Sequence, residues 1–409
     1  MKKLLIALCA TLVCDSIWAG SLLITNAKRY DPDTENPIDI LVVDGFIEAI
    51  GENLDQANAD QVIDAAGRPV TPALFAGITA TGLSEVGMVR ESVDARLNGL
   101  YTGLMHPEFD VRDAFNPLSS IVPVTRIEGY GYALLAAGSG DRTLSGQGSL
   151  VRFDGGFDSF EGHQVLYANV DGYSARETGG SRAAHWMLLE AAFEEVSRAD
   201  ADLTLISSAG KQVLKNSRKN ALYVFHANRA ADIHRVIEFA ARHRLRAVIA
   251  GGQEAWIVRD ALAGAGIPVV LNALDNLPGS FDALGARLDN AALLNEAGVT
   301  VLFTSGETQN ARKVRQVAGS AVAHGLPHDV ALAAMTSTPA AIFGGAERSV
   351  SEGARADLVI WSGDPLEVNT AADQVIIDGQ LDPMVSRQSL LLERYLQESP
   401  AFGRAYSRH

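Results

Sequence analysis

Two side chains suited to acid–base chemistry follow predicted β-strands in the second half of this 409-residue chain. His226 lies near the end of one strand candidate, Asn220–Asn228, and Glu307 comes soon after another, Val299–Ser305. A histidine and a carboxylate beside one reacting bond can act as general base and general acid. We therefore take His226 and Glu307 as the candidate catalytic residues of a hydrolase or isomerase that uses no metal. The alternative is a hydrogen-bonded pair without chemistry.

Predicted strands and predicted helices alternate in the part of the chain that must position these residues. Short β-branched runs are followed by amphipathic helices, a pattern typical of parallel βαβ units. The strand candidates are Asn220–Asn228, Arg246–Gly252, Pro268–Asn272 and Val299–Ser305, with helix candidates including Glu254–Ala265 and Asp289–Ala297. On a chain of this length the succession predicts an α/β fold, a (β/α)8 TIM-like barrel, with an open doubly wound sheet as the alternative. Barrel enzymes build their sites at the C-terminal ends of the strands, where the candidate residues would meet.

Both ends of the chain carry a different, all-β pattern. Short β-type runs occupy Leu22–Ile24, Ile38–Val43 and Phe46–Ile50, and they return late at 356–361 and 375–379. An Asp-Gly pair follows a β-branched run in each half, which is a hairpin signal. The pattern predicts either one small composite module or two separate hairpins. The glycine-rich middle leaves the strands between residues 85 and 219 unassigned.

Several segments resemble the amidohydrolase superfamily. The stretch from Val70 to Leu83 is similar to its opening signature, Phe225-His226-Ala227-Asn228-Arg229 resembles a segment of the imidazolonepropionase-like type, and Gly353–Val359 resembles the phrase that leads out of the barrel. The resemblance implies a TIM-like barrel beside a small β-sandwich built from both chain ends. The implied boundaries are residues 20–71 and 350–385 for the β-sandwich, 72–349 for the barrel and 386–409 for a C-terminal tail.

The resemblance also implies where metal ligands would stand, and those positions are occupied by other residue types. Ile78 and Ala80 replace two histidines at the first strand, Gly251 replaces one at the sixth, and Gly306 falls where the eighth strand would supply an aspartate, with Glu307 displaced by one position. No metal ligand is therefore assigned and no cofactor is expected, although an active enzyme of this type would use zinc or another divalent metal.

By the same resemblance, three further residues are candidates for substrate binding. They are Asn228, Arg229 and Asn310.

The amidohydrolase-like pattern, with other residues at the metal-ligand positions, leaves two possible functions. The first is a degenerate homologue that serves as a binding or partner subunit, pairing with itself or with an intact amidohydrolase. The alternative is an active hydrolase of non-peptide C–N bonds, of amide or lactam type, with an unrecognised metal site or none. Fold likeness supports the second, and the altered positions favour the first.

Composition and the N-terminus bear on partners and location. The formal net charge of −15 argues against nucleic acid and anionic membranes, and leaves a small molecule as the expected ligand. Residues 1–19 combine two lysines, an apolar run and a small residue at Ala19, which predicts a signal peptide and a periplasmic or secreted protein. Cys9 and Cys14 are the only cysteines, so the mature chain would form no disulfide.

Overall fold

The computed structural model describes most of the chain, namely residues 20–29, 37–97, 105–137, 143–196, 205–275, 277–306 and 308–396. The predicted signal peptide, residues 1–19, lies outside the described residues, as does the end of the predicted C-terminal tail. No helix in the described ranges is both long enough and apolar enough to span a bilayer.

The strands follow one another along the chain in three groups: an early group, a central group and a late group. The early strands are β1 (Ser21–Arg29), β2 (Ile38–Val43), β3 (Phe46–Gly51), β4 (Gln61–Asp64) and β5 (Pro69–Pro72). The central strands are β6 (Leu74–Thr79), β7 (Tyr130–Leu135), β8 (Leu144–Arg152), β9 (Phe160–Asn169), β10 (Leu222–Ala227), β11 (Arg246–Gly251), β12 (Val269–Leu271) and β13 (Val301–Phe303). The late strands are β14 (Leu358–Trp361), β15 (Ala372–Ile377) and β16 (Gln380–Leu381).

The α-helices lie mostly between the central strands and after them. They are α1 (Ile121–Arg126), α2 (Gly172–Gly179), α3 (Arg182–Glu195), α4 (Ser208–Asn220), α5 (Ala230–His243), α6 (Arg259–Ala265), α7 (Asn290–Glu296), α8 (Val314–Ala323), α9 (His328–Ala333), α10 (Ser337–Phe343) and α11 (Arg387–Leu396). Buried residues of α1 and of α3 to α10 join the central sheet in one large apolar core, whereas α11 has no buried residue.

The early and late strands form one sheet, as the resemblance implied. Its order is β16-β15-β14-β5-β1-β2-β3, with β4 beside β1. The two Asp-Gly pairs turn the chain with positive φ angles, 54° and 80° at Asp44-Gly45 and 50° and 74° at Asp378-Gly379. A Cβ on Gly379 would lie 3.1 Å from the Gly45 Cα atom. The turns from the two chain ends therefore pack against each other, and glycine permits both the φ angle and the close approach.

The central strands form the barrel in the order β6 to β13, which confirms the predicted α/β barrel. One strand departs from an ideal (β/α)8 arrangement: β8 runs antiparallel to both β7 and β9, whereas the other neighbours are parallel. Antiparallel neighbours need no helical crossover. This explains why the glycine-rich middle shows no βαβ periodicity.

The barrel closes between β6 and β13 through a side chain. The Thr304 hydroxyl donates to the Ile78 carbonyl oxygen at 3.1 Å and accepts from the Ile78 N–H at 3.2 Å. Gly77 has a φ of 79°, and a Cβ there would lie 2.8 Å from the Thr304 Cα atom. At this point β6 contacts Thr304 through backbone atoms. The absence of a side chain at Gly77 allows the chain after β13 to approach β6 closely.

An ion network, buried at Arg152, Arg348 and Asp357, attaches the terminal sheet to the barrel. Arg348 contacts Asp357 at 2.6 Å and Glu161 at 2.5 Å, and Arg152 contacts Asp378 at 2.6 Å. Arg152 ends the reversed strand β8, and Glu161 lies at the start of β9. The network is therefore at the N-terminal ends of the parallel strands, and the opposite end, where the strands finish, is left open.

Candidate functional site

A cavity of about 290 Å³ lies at the C-terminal ends of the barrel strands. One side of its lining is apolar and includes Ile78, Ala80, Ala136 and Ala137. The polar lining combines amide and hydroxyl side chains with one imidazole and one carboxylate. The amides, the imidazole and the carboxylate belong to Asn169, Asn228, Gln253, Asn272, His226 and Asp275. The cavity is thus where the fold class places a site.

His226 is held at the cavity by a carboxylate. Its Nδ1 atom lies 3.1 Å from Oδ2 of Asp171. The strand alternates, so that Phe225 and Ala227 are fully buried while the His226 side chain is 35% exposed at the cavity. Asp171 follows β9 and caps α2, because its Oδ1 accepts from the Ser174 N–H at 2.7 Å. One carboxylate therefore begins a helix and orients the histidine.

The charge of Asp171 is set by opposing effects. Burial on its own would raise the pKa of this carboxyl, but hydrogen bonds from His226 and from the Ser174 backbone bring the pKa below its ordinary value. Asp171 is consequently ionised at neutral pH. An ionised acceptor at Nδ1 favours the tautomer with the proton on that nitrogen, which leaves Nε2 as the basic atom.

Asn228 also lines the cavity, beside Gly251. Its Oδ1 is buried and has no hydrogen-bond partner among the described residues. Gly251 has a φ of 95°, and a Cβ there would lie 2.4 Å from that oxygen. Gly251 occupies the position at which the resemblance implies a sixth-strand histidine. The Asn228 side chain leaves no room for a larger residue at that position.

The other candidates lie elsewhere. Arg229 is exposed at the start of α5, and Asn310 lies in the 3-10 helix Thr308–Lys313; neither is among the described residues that line the cavity. Glu307 lies outside the described residues. The binding roles of Arg229 and Asn310 and the catalytic role of Glu307 stay predictions.

The sequence pattern did not single out Asp171 or Asp275. Asp275 accepts hydrogen bonds from Gln253 at 3.1 Å and from Asn272 at 3.0 Å. Two sequence features could have indicated these residues: the Asp171-Gly172 pair ahead of a helix, and the polar residues after the strand candidate at Pro268–Asn272. The Asp171-Gly172 pair could not be placed at a strand end, because the preceding strand, β9, pairs antiparallel with β8 and was not predicted.

The fold suggests a divalent metal, which would require several ligand side chains at the strand ends. A catalytic zinc takes three protein ligands. Within the described ranges, no three histidine, cysteine or acidic side chains are grouped to hold an ion. At the strand ends, Ile78, Ala80 and Gly251 offer no side-chain donor, and His226 uses one nitrogen for Asp171. The described residues therefore do not fit a catalytic metal.

Comparisons with known proteins agree with this architecture. No family model matches the chain. An amidohydrolase from Thermotoga maritima MSB8 superposes with a TM-score of 0.77 at 24% identity, covering 88% of this chain and 99% of that one. The chain has the amidohydrolase fold. The resemblance found in the sequence is thereby confirmed at the level of the fold.

Two further comparisons extend this result. N-isopropylammelide isopropylaminohydrolase from Burkholderia multivorans ATCC 17616 gives a TM-score of 0.53 at 14% identity, covering 88% of this chain and 98% of that one. The curated relative amidohydrolase tasK from Hapsidospora irregularis is 33% identical over 124 residues. That match spans 29% of this chain and 13% of the relative, so the chain corresponds to a small part of that protein.

Proposed function

We propose that this protein is a hydrolase of non-peptide C–N bonds, of amide or lactam type, in which His226 is the general base and Asp171 orients it. The observation that carries the proposal is the 3.1 Å contact between His226 Nδ1 and Asp171 Oδ2 beside the cavity. The amidohydrolase fold and the similarity to named amidohydrolases support the reaction class.

The geometry supports a direct attack by water. His226 Nε2 takes a proton from a water molecule while the water oxygen bonds to the carbonyl carbon, and the C=O π pair moves to the oxygen. The side-chain amides of Asn169 and Asn228 line the cavity and are suited to donate to that oxyanion. His226 then gives the proton to the nitrogen, the oxyanion pair re-forms the C=O bond, and the C–N bond breaks with its electron pair staying on the nitrogen, which leaves a carboxylic acid and an amine.

A chelation experiment with His226→Ala tests this proposal. The parent protein, treated with a chelator, should hydrolyse members of a panel of p-nitroanilides and lactams, and the variant should lose about 100-fold or more in rate. Equal rates in parent and variant would refute the role of His226. Hydrolysis that disappears on chelation and returns with added zinc would show that a metal is used.

The residues at the metal positions favour a second function. Because Ile78, Ala80 and Gly251 cannot coordinate, a degenerate homologue that binds a small molecule, or pairs with itself or an intact amidohydrolase, is the other proposal. Co-purification of an amidohydrolase from the native source, or a stable oligomer, would support the pairing role. A monomer isolated without any partner would count against it.

Export is also a proposal. The apolar run after two lysines near the N-terminus supports a signal peptide and a periplasmic or secreted location. N-terminal sequencing of the protein from its source should begin at Gly20. A mature chain that still begins at Met1 would refute cleavage.

A further inference from the structure

We infer that the cavity selects ligands that carry a cationic amine, and that Asp275 is the residue that selects them. Selective binding of amines can be tested without turnover, whereas selection among substrates rests on the hydrolase function proposed above. Three features support the inference: the hydrogen bonds that hold Asp275, the absence of lysine and arginine among the described residues lining the cavity, and the separation within the sheet of the strands that precede Asp275 and carry His226.

Asp275 is held in one orientation while much of it stays accessible. The Asp275 backbone N–H closes the turn after β12 by donating to the Asn272 carbonyl oxygen at 3.1 Å. Asn272 Nδ2 donates to one carboxylate oxygen at 3.0 Å, and Gln253 Nε2 donates to the other at 3.1 Å. A carboxylate has about four acceptor positions, so roughly half remain for a ligand. The side chain is exposed at the cavity rim, which leaves those positions open.

Among the described residues, no salt bridge offsets the charge of the Asp275 carboxylate. No lysine or arginine is among the described residues that line the cavity, and Asp171, which contacts His226, adds a second negative charge near the site. Partial loss of solvent raises the pKa of Asp275, and the two amide hydrogen bonds only partly counter this effect. An ammonium group, with three N–H donors and a compact charge, would satisfy the carboxylate; a ligand carboxylate would be repelled.

The position of Asp275 separates the amine from the reacting bond. Asp275 follows β12 and His226 lies near the end of β10, with β11 between them. Two strand spacings amount to roughly 10 Å. The ligand class is therefore an amide or lactam whose amine lies several bonds from the C–N bond at His226.

Equilibrium binding tests the inference without relying on turnover. Hexylamine, hexanol and hexanoate are titrated at neutral pH into the parent protein, Asp275→Asn and Asp329→Asn by calorimetry. Asp329 is exposed on α9 and does not line the cavity, so its substitution matches the change in net charge. Hexylamine should bind about 10- to 100-fold more tightly than the other two in the parent and in Asp329→Asn, and should lose this preference in Asp275→Asn. No preference for the amine, or a preference that persists in Asp275→Asn, would overturn the inference.

Turnover separates this inference from the proposed function. The substrates are p-nitroanilides of three six-carbon acids that end in an amine, a hydroxyl or a carboxylate. We expect kcat/KM to fall in that order, Asp275→Asn to remove the order mainly through KM, and His226→Ala to abolish hydrolysis of all three. Hydrolysis without an amine preference would refute the role of Asp275 and keep the His226 mechanism. Amine-selective binding without any hydrolysis would refute the mechanism and support Asp275.

Discussion

Asp171→Asn separates the two tasks of one side chain. Asp171 caps α2 through Oδ1, 2.7 Å from the Ser174 N–H, and orients His226 through Oδ2, 3.1 Å from Nδ1. Asparagine is as good a helix cap as aspartate, so the first task survives. The second does not, because the amide carries no charge and can present an N–H to Nδ1. The imidazole would then favour the tautomer with its proton on Nε2, which cannot accept a proton from water.

The two expected effects differ greatly in size. Loss of the correct tautomer and of the carboxylate charge lowers kcat about 10⁴-fold in comparable His–Asp arrangements, which corresponds to about 5.4 kcal/mol of barrier. The free energy of unfolding should change by no more than about 1 kcal/mol, because the cap is kept and one hydrogen bond is replaced. Activity and stability thus report on different atoms of the same carboxylate.

The assay compares kcat with urea unfolding for Asp171→Asn, Asp171→Ala and His226→Ala. Alanine removes both the cap and the orienting group, so Asp171→Ala should be less stable than Asp171→Asn by about 1 kcal/mol while being similarly inactive. A hydrolase in which His226→Ala is inactive and Asp171→Asn keeps the parent rate would refute the orienting role. Equal instability of the two Asp171 variants would refute the separation of cap and catalysis.

The remaining predictions concern stability. Thr304→Val should lower the free energy of unfolding by about 1–3 kcal/mol in urea titrations, because both Ile78 backbone groups lose their partner; unchanged stability would refute closure through this hydroxyl. Gly251→Ala should cost about 1–3 kcal/mol because of its φ of 95°, whereas Gly264→Ala, where a Cβ meets nothing within 4 Å, should be neutral or stabilising; equal effects would contradict the strain argument. Because the folded pKa of Asp171 is lowered, its stabilisation is present above the unfolded value of about 3.9 and disappears as the pH falls through the folded value. Asp171→Asn should therefore be less acid-sensitive than the parent as the pH falls below about 5, and an identical acid profile would refute this assignment.

The terminal sheet and the second half of the barrel were predictable because their information is local. The β-branched runs at Ile38–Val43 and Phe46–Gly51, joined by Asp44-Gly45, form adjacent antiparallel strands as the hairpin pattern indicates. The expected strand Asn220–Asn228 becomes Leu222–Ala227, with the helix Ala230–His243 behind it. β-branched runs, turn pairs and helical periodicity are patterns among residues close together in the sequence.

The candidate site was only partly predictable because its contacts join distant segments. His226 could be selected from its place in a strand, but its partner Asp171 lies 55 residues earlier, after a strand in the irregular part of the barrel. Thr304 and Ile78 meet over 226 residues where the barrel closes. Which side chains meet depends on strand order and on the reversal of β8, and both are settled by packing of the whole barrel. The sequence by itself determined the element types of the terminal sheet and of the second half of the barrel, and it placed His226 near a strand end. Only the tertiary structure decided that Asp171 contacts His226 and that Asp275 lines the same cavity.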